Sequence, residues 1–92
     1  MAEEEKPEPG FVYLIRSGKA HKIGRTNHVE RRERELKIQL PEKATRVHII
    51  KTDDVRGIES YWHHRFRHKR LNGEFFDLSP GDVAVFKRRK FM

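Results

Sequence analysis

The chain contains no cysteine, which excludes a disulfide framework and a thiolate zinc site as sources of stability. It has six histidines, but none stands in an H-E-x-x-H arrangement, so a zinc hydrolase of that type is excluded too. No G-x-G-x-x-G follows a strand-like run, which argues against a dinucleotide cofactor. Long apolar runs are also missing. Nothing approaches the roughly 20 residues that a membrane span needs, and the acidic start of the chain is unlike a signal peptide. These absences lead to the expectation of a soluble intracellular protein, cytoplasmic or nucleoid-associated, with no membrane partner.

What the chain has in quantity is positive charge. Lysine and arginine total 21 against 14 acids, for a net charge of +7. The charge is unevenly placed. The first nine residues hold four acids (Glu3, Glu4, Glu5, Glu8) and one cation (Lys6), net −3, so residues 10–92 carry +10. A small body this basic attracts polyanions by counterion release, and nucleic acid is the usual one. Basic domains without a polyanionic partner are common as well, so charge alone does not decide between the two.

With 92 residues there is room for one domain. Residues 1–9 are acidic, proline-bearing and poor in apolar groups, and read as a flexible leader. The domain is expected over residues 10–92. Phe11-Val12-Tyr13-Leu14-Ile15 is rich in strand formers, Ser17-Gly18-Lys19 reads as a turn, and His21-Lys22-Ile23-Gly24-Arg25 returns as the second arm of a hairpin. Asn27 with Glu30 three residues later looks like a capping box. It opens a helix along Val29, Arg32, Leu36 and Leu40 that Pro41 closes. Thr45 to Thr52 is β-branched and reads as a third strand.

Asp53 and Asp54 are placed to cap a second helix, whose stripe runs Val55, Ile58, Trp62, Phe66 and whose end is expected at Asn72-Gly73. Glu74 to Leu78 reads as a short extended or irregular segment. Ser79-Pro80-Gly81-Asp82 supplies a cap, a proline at the first helical position and an acid in the first turn of a last helix. The order β-β-α-β-α-(β)-α gives an α+β fold: a small antiparallel sheet of about three strands flanked by helices.

Several polar residues stand among apolar neighbours: Tyr13, Lys22, Arg32, Glu59, His63 and Asn72. Taken singly, each has an ordinary explanation. Tyr13 reads as a core residue, Arg32 as a partner of Glu35 or Glu59, Glu59 with His63 as an exposed helical pair, and Asn72-Gly73 as a helix stop. His64 and His68 read as solvated.

Taken together they form a pattern. Phe11-Val12-Tyr13 followed by Lys22-Ile23-Gly24 resembles the paired tripeptides that name the GIY-YIG nuclease superfamily. K-I-G-R-T (Lys22 to Thr26), Arg32 eight residues after Gly24, Glu59-x-x-x-His63-x-x-Phe66, and Asn72-Gly73-Glu74-Phe75-Phe76 are similar to the branch with a lysine in the second motif and a G-E-W-F-like late motif. Lys22 stands where most members of the superfamily carry tyrosine, and Phe75 where tryptophan is common.

The resemblance implies a metal-dependent endonuclease that hydrolyses phosphodiesters in nucleic acid, DNA favoured, with one Mg2+ or Mn2+ ion held by Glu59. It further implies that Arg32 donates to the phosphate and that Tyr13 contacts or helps deprotonate the attacking water. Lys22 would either lower the Tyr13 pKa or donate to the phosphate itself. His63 would assist proton transfer or orient Glu59, and Asn72 would position the network. Arg25, Arg31, Lys87 and Arg88 would track the nucleic-acid backbone, and a specificity domain in a longer chain is an expected companion. Two alternatives stay open: an inactive nucleic-acid-binding module on the same fold, and a protein-interaction domain for an acidic partner.

Overall fold

The computed structural model describes residues 6–92. Two strands, β1 (Gly10–Ser17) and β2 (Ala20–Thr26), lead into α1 (Val29–Gln39) and β3 (Ala44–Thr52). After α2 (Val55–Arg65) come a 3-10 turn (Arg67–Lys69), β4 (Arg70–Asn72), β5 (Phe75–Phe76) and α3 (Pro80–Lys87). All strand pairs are antiparallel, in the order β3-β1-β2-β5-β4. The α+β class is as the sequence predicts, with five strands where about three were expected. Among the described residues no helix is long and apolar enough to cross a membrane.

The hairpin of β1 and β2 closes on Gly18, whose φ of +60° suits the first central position of a two-residue loop and is costly for a side-chain-bearing residue. Opposed residues then share faces. Val12, Leu14 and Ile23 point to one side, where they pack with Ile50, Val55, Trp62, Phe66, Phe76 and Phe86 beneath α2 and α3. Tyr13 and Ile15 point to the other, against Leu36 of α1. A register shift between Leu14 and Ile15 in the pairing with β3 leaves Val47 without an opposite residue. Val47 and His48 consequently both face the α3 side, Val47 on the larger cluster and His48 edge-on to Phe86. Trp62 anchors that cluster, 4.7 Å from the Phe86 ring and stacked on Phe66.

Three local expectations change. α1 is capped by His28, whose Nδ1 accepts from the Arg31 N–H, and not by Asn27. Thr26 exchanges hydrogen bonds with the His28 backbone, and this turn delivers the chain to the helix one residue later. α2 stops at Arg65, well before Asn72-Gly73. The buried stripe ends at Phe66, and the next helical positions, Lys69 and Arg70, are cations with nothing to bury. Gly73, at φ +54°, turns the hairpin between β4 and β5 instead.

Other expectations hold. Asp54 caps α2 through the Gly57 N–H, and Ser79 with Asp82 forms a full capping box on α3, with Pro80 at its start. Of the expected leader, residues 1–5 lie outside the described residues. The Glu8 carbonyl accepts from the Val55 N–H at 2.9 Å, so the hydrogen-bonded fold takes in residues just ahead of β1. At the outer side of β3, Lys51 bonds to the backbone of Lys90 and Met92.

Candidate active site at the edge of strand β2

Tyr13 and Gly24 are directly opposed across β1 and β2. The tyrosine ring lies flat over the glycine: a Cβ placed on Gly24 would sit 2.2 Å from the hydroxyl and 2.4 Å from Cζ. The first and second tripeptides are therefore one interlocked unit, and the glycine is required because the ring occupies its side-chain space. Lys22, two residues back on the same face, places its ammonium 5.6 Å from the Tyr13 ring centre and 5.8 Å from that of Phe75. It is ion-paired to Glu74, which precedes β5. Glu74 was not singled out in the sequence as a site residue. Its signal lay in the late motif, since Phe75 pairs with Lys22 across β5 and β2.

Burial pushes the Tyr13 hydroxyl above its ordinary pKa of 10.0; Lys22 and, more weakly, Arg32 pull it back, while Glu74 adds to the rise. The expectation that neighbouring cations depress this pKa is therefore reversed: desolvation outweighs them. The phenol stays protonated at neutral pH and is suited to donate a hydrogen bond, not to act as a base. Arg32 reaches this face from α1, half-buried. Its Nε lies 3.5 Å from Glu35 and has no hydrogen-bond partner among the described residues.

The second group of residues lies on the α2 side of the same strand. Glu59 occupies the inward face of α2 with Val55 and Trp62 and is only 6% exposed. It is not the exposed helical partner of His63. Its Oε1 accepts from Arg25 Nη1 at 2.5 Å, and its Oε2 is buried with no hydrogen-bond partner among the described residues. Burying a carboxylate is costly unless it is paired, so Arg25 is what makes this position tolerable. His63 sits 2.8 Å by Nε2 from the Ile23 carbonyl and 3.1 Å by Nδ1 from Arg70 Nη2. The tautomer that donates from Nε2 and accepts at Nδ1 satisfies both contacts. Arg70 stacks over Phe76, which also meets the His63 ring edge.

Four consecutive residues of β2 thus carry the site: Lys22, Ile23, Gly24 and Arg25 hold Glu74, His63, Tyr13 and Glu59 respectively. β5 pairs with β2 at His21 and Lys22, and the Ile23 N–H donates to the Glu74 carbonyl at 3.0 Å, so among the described residues no strand pairs with this edge of β2 beyond Ile23. Asn72 is not part of the cluster. It is exposed on β4, paired through its backbone to Phe75. Arg31 is exposed on α1 and tied only through its N–H. Lys87 and Arg88, at the end of α3, line a separate cavity.

A divalent cation finds one protein ligand here. Among the described residues no three His, Cys, Asp or Glu side chains gather as a metal site. Within this cluster the Oε2 of Glu59 is a buried acceptor without a hydrogen-bond partner among the described residues, and it fits an ion that keeps most of its coordination for water and substrate oxygens. The T5orf172 domain model matches residues 10–90. The chain belongs to the T5orf172 domain family, a nuclease-associated group. The T5orf172 match runs from β1 past the end of α3 and includes every residue of the β2 cluster. No curated protein and no solved structure matches the chain.

Proposed function

We propose that this T5orf172 domain is a one-metal phosphodiesterase of the GIY-YIG kind that nicks nucleic acid, DNA in the first instance. The observation that carries the reading is the buried carboxylate of Glu59, with one oxygen held by Arg25 and the other without a partner. A fold this small gains nothing in stability from a carboxylate among Val55 and Trp62, so the position is better explained by chemistry. Glu59 would hold Mg2+ or Mn2+, which supplies electrophilic stabilisation of the phosphate when bound.

The chain's own residues do the rest. Tyr13, protonated over Gly24, donates to the attacking water or to a phosphate oxygen. Arg32 brings a fixed positive charge to the same face and offsets charge that develops on the phosphate. Arg25 neutralises Glu59 in the free protein and turns to the substrate when a cation takes its place. Lys22 is held by Glu74, and His63 fixes the β2 edge through the Ile23 carbonyl.

The test uses supercoiled plasmid with Mg2+, Mn2+ or chelator. Metal-dependent nicking is expected from the wild-type protein. Glu59→Gln, which preserves shape and can still accept from Arg25, should lower the rate by about 100-fold or more. Equal nicking by both proteins would sink the assignment. A second reading is favoured by the fact that Glu59 and Lys22 are both already ion-paired: a nucleic-acid-binding module without catalysis. Retardation of DNA on a gel, with no nicking under any metal, would select it.

A further inference from the structure

An open cavity of about 880 Å³ lies between α3 and the sheet, on the face opposite Tyr13. Its floor is apolar, built from Val47, Leu78 and Val83. The bulge in β3 is what brings Val47 there. The rim carries four cations, Arg16, Lys19, Lys87 and Arg88. None of them has a carboxylate partner among the described residues, whereas Lys22, Arg25, Arg32, Arg46 and Lys69 are all ion-paired. Among the described residues the Arg16 guanidinium bonds to the Gly18 carbonyl. His21 also lines the cavity, and its Nδ1 is buried without a hydrogen-bond partner among the described residues. Burial, reinforced by Arg16 and opposed by Asp77, lowers the His21 pKa. The ring is thus neutral at pH 7, with a nitrogen left to bond.

These features specify the occupant's chemistry. The volume falls in the range of small-ligand sites. A bare anion would leave the apolar floor empty, and an apolar ligand would leave four cations without counter-charge. A flat heterocycle joined to a phosphate satisfies both. A base stacked within a duplex cannot enter a recess of this kind, whereas an unpaired one can.

We propose that this cavity receives one unpaired nucleotide of the bound strand, its base on Val47, Leu78 and Val83 and its phosphate against Arg16, Lys19, Lys87 and Arg88. This rests on the reading that the chain acts on nucleic acid, and it adds a preference for substrates with a single-stranded element.

The test is an amide-resolved NMR titration of the whole chain with dTMP, thymidine and inorganic phosphate. dTMP should shift the amides of His21, Val47 and Val83. It should bind about tenfold or more tightly than either fragment, because each lacks one half of the contact set. Ala84 is exposed at the cavity mouth. Ala84→Trp fills the recess and should abolish the dTMP shifts while the rest of the spectrum stays folded. Lys87→Glu with Arg88→Glu, which leaves the floor intact, should weaken dTMP about tenfold and thymidine hardly at all.

Unmoved cavity amides, undiminished binding by Ala84→Trp, or inorganic phosphate binding as tightly as dTMP would each overturn the proposal. Plasmid nicking separates the two readings. Nicking without a cavity response to dTMP removes this inference alone, and a cavity response without nicking removes the phosphodiesterase alone.

Discussion

Replacing Gly24 with alanine tests the interlock between the two tripeptides. The added Cβ would fall 2.2 Å from the Tyr13 hydroxyl and 2.4 Å from Cζ, far inside van der Waals contact. Gly24 has no positive φ, so its backbone tolerates alanine and the whole penalty comes from the ring. Tyr13 is 3% exposed and cannot move without displacing packed neighbours. Overpacking of this kind costs about 1–3 kcal/mol, offset by the roughly 0.5–1 kcal/mol that alanine gains over glycine in a strand. Gly24→Ala should therefore lose about 1–2 kcal/mol, with Tm falling by about 4–8 °C per kcal/mol in a domain of this size.

Tyr13→Leu removes the obstructing ring at its own cost. In that background Gly24→Ala should be neutral or stabilising. Urea melts of the four proteins give the coupling energy, expected at about 1–3 kcal/mol. Additivity within about 0.5 kcal/mol would refute the reasoning, since it would mean that the ring does not occupy the glycine's side-chain space.

Three further outcomes are expected. Arg25→Ala strands the buried Glu59 carboxylate and should cost about 1–2 kcal/mol by urea denaturation, less than for a fully buried pair because Arg25 is partly solvated. The loss should shrink when Glu59→Gln is added. Ser79→Ala removes one arm of the α3 capping box and should cost about 1 kcal/mol, read as a lower Tm; an unchanged Tm would show that the cap does not hold α3. Hydrogen bonds from Arg46 hold the Glu33 carboxyl below its ordinary 4.5. Their contribution is complete above pH 4.5 and is lost as pH falls through the lowered folded value. Glu33→Gln should flatten the acid limb of the stability curve, and an unchanged slope would show that the pair contributes nothing.

Much of the fold could be read from the chain because its elements carry strong local signals. The apolar run from Phe11 to Ile15, the Trp62 stripe and the Ser79-Pro80-Gly81-Asp82 start each announce one element. β5 fell within the segment read as short and extended or irregular, and β4 gave no signal, since strands of two and three residues are too short to show a period of two. Glu59 was the harder case. It falls on the buried side of α2 at the spacing of Val55, Trp62 and Phe66, but a glutamate there reads as solvated until its counter-ion is known. That counter-ion, Arg25, is 34 residues away, and the Glu74 that engages Lys22 is 52 away. Pairings over such distances follow from strand register and have no local signature. The local pair of Arg32 with Glu35, three residues apart on one helix, was legible; the long-range partners of Glu59 and Lys22 were not.

The seating of residues 89–92 on β3 bears on how the molecule keeps to itself. An outermost strand with vacant N–H and C=O groups is a template onto which a neighbouring chain can add, the first step toward fibrils. On β3 that template would include Ile49 and Ile50, an apolar pair of high β propensity. The Lys51 N–H donates to the Lys90 carbonyl and the Lys51 carbonyl accepts from the Met92 N–H, so the backbone groups of Lys51 are taken by the chain itself, and the His48 ring holds the Arg89 carbonyl alongside. They also set a cationic run, Arg88 to Lys90, beside the edge as an electrostatic fence. The same few residues thus occupy part of the edge that an added strand would need, independently of any chemistry at β2.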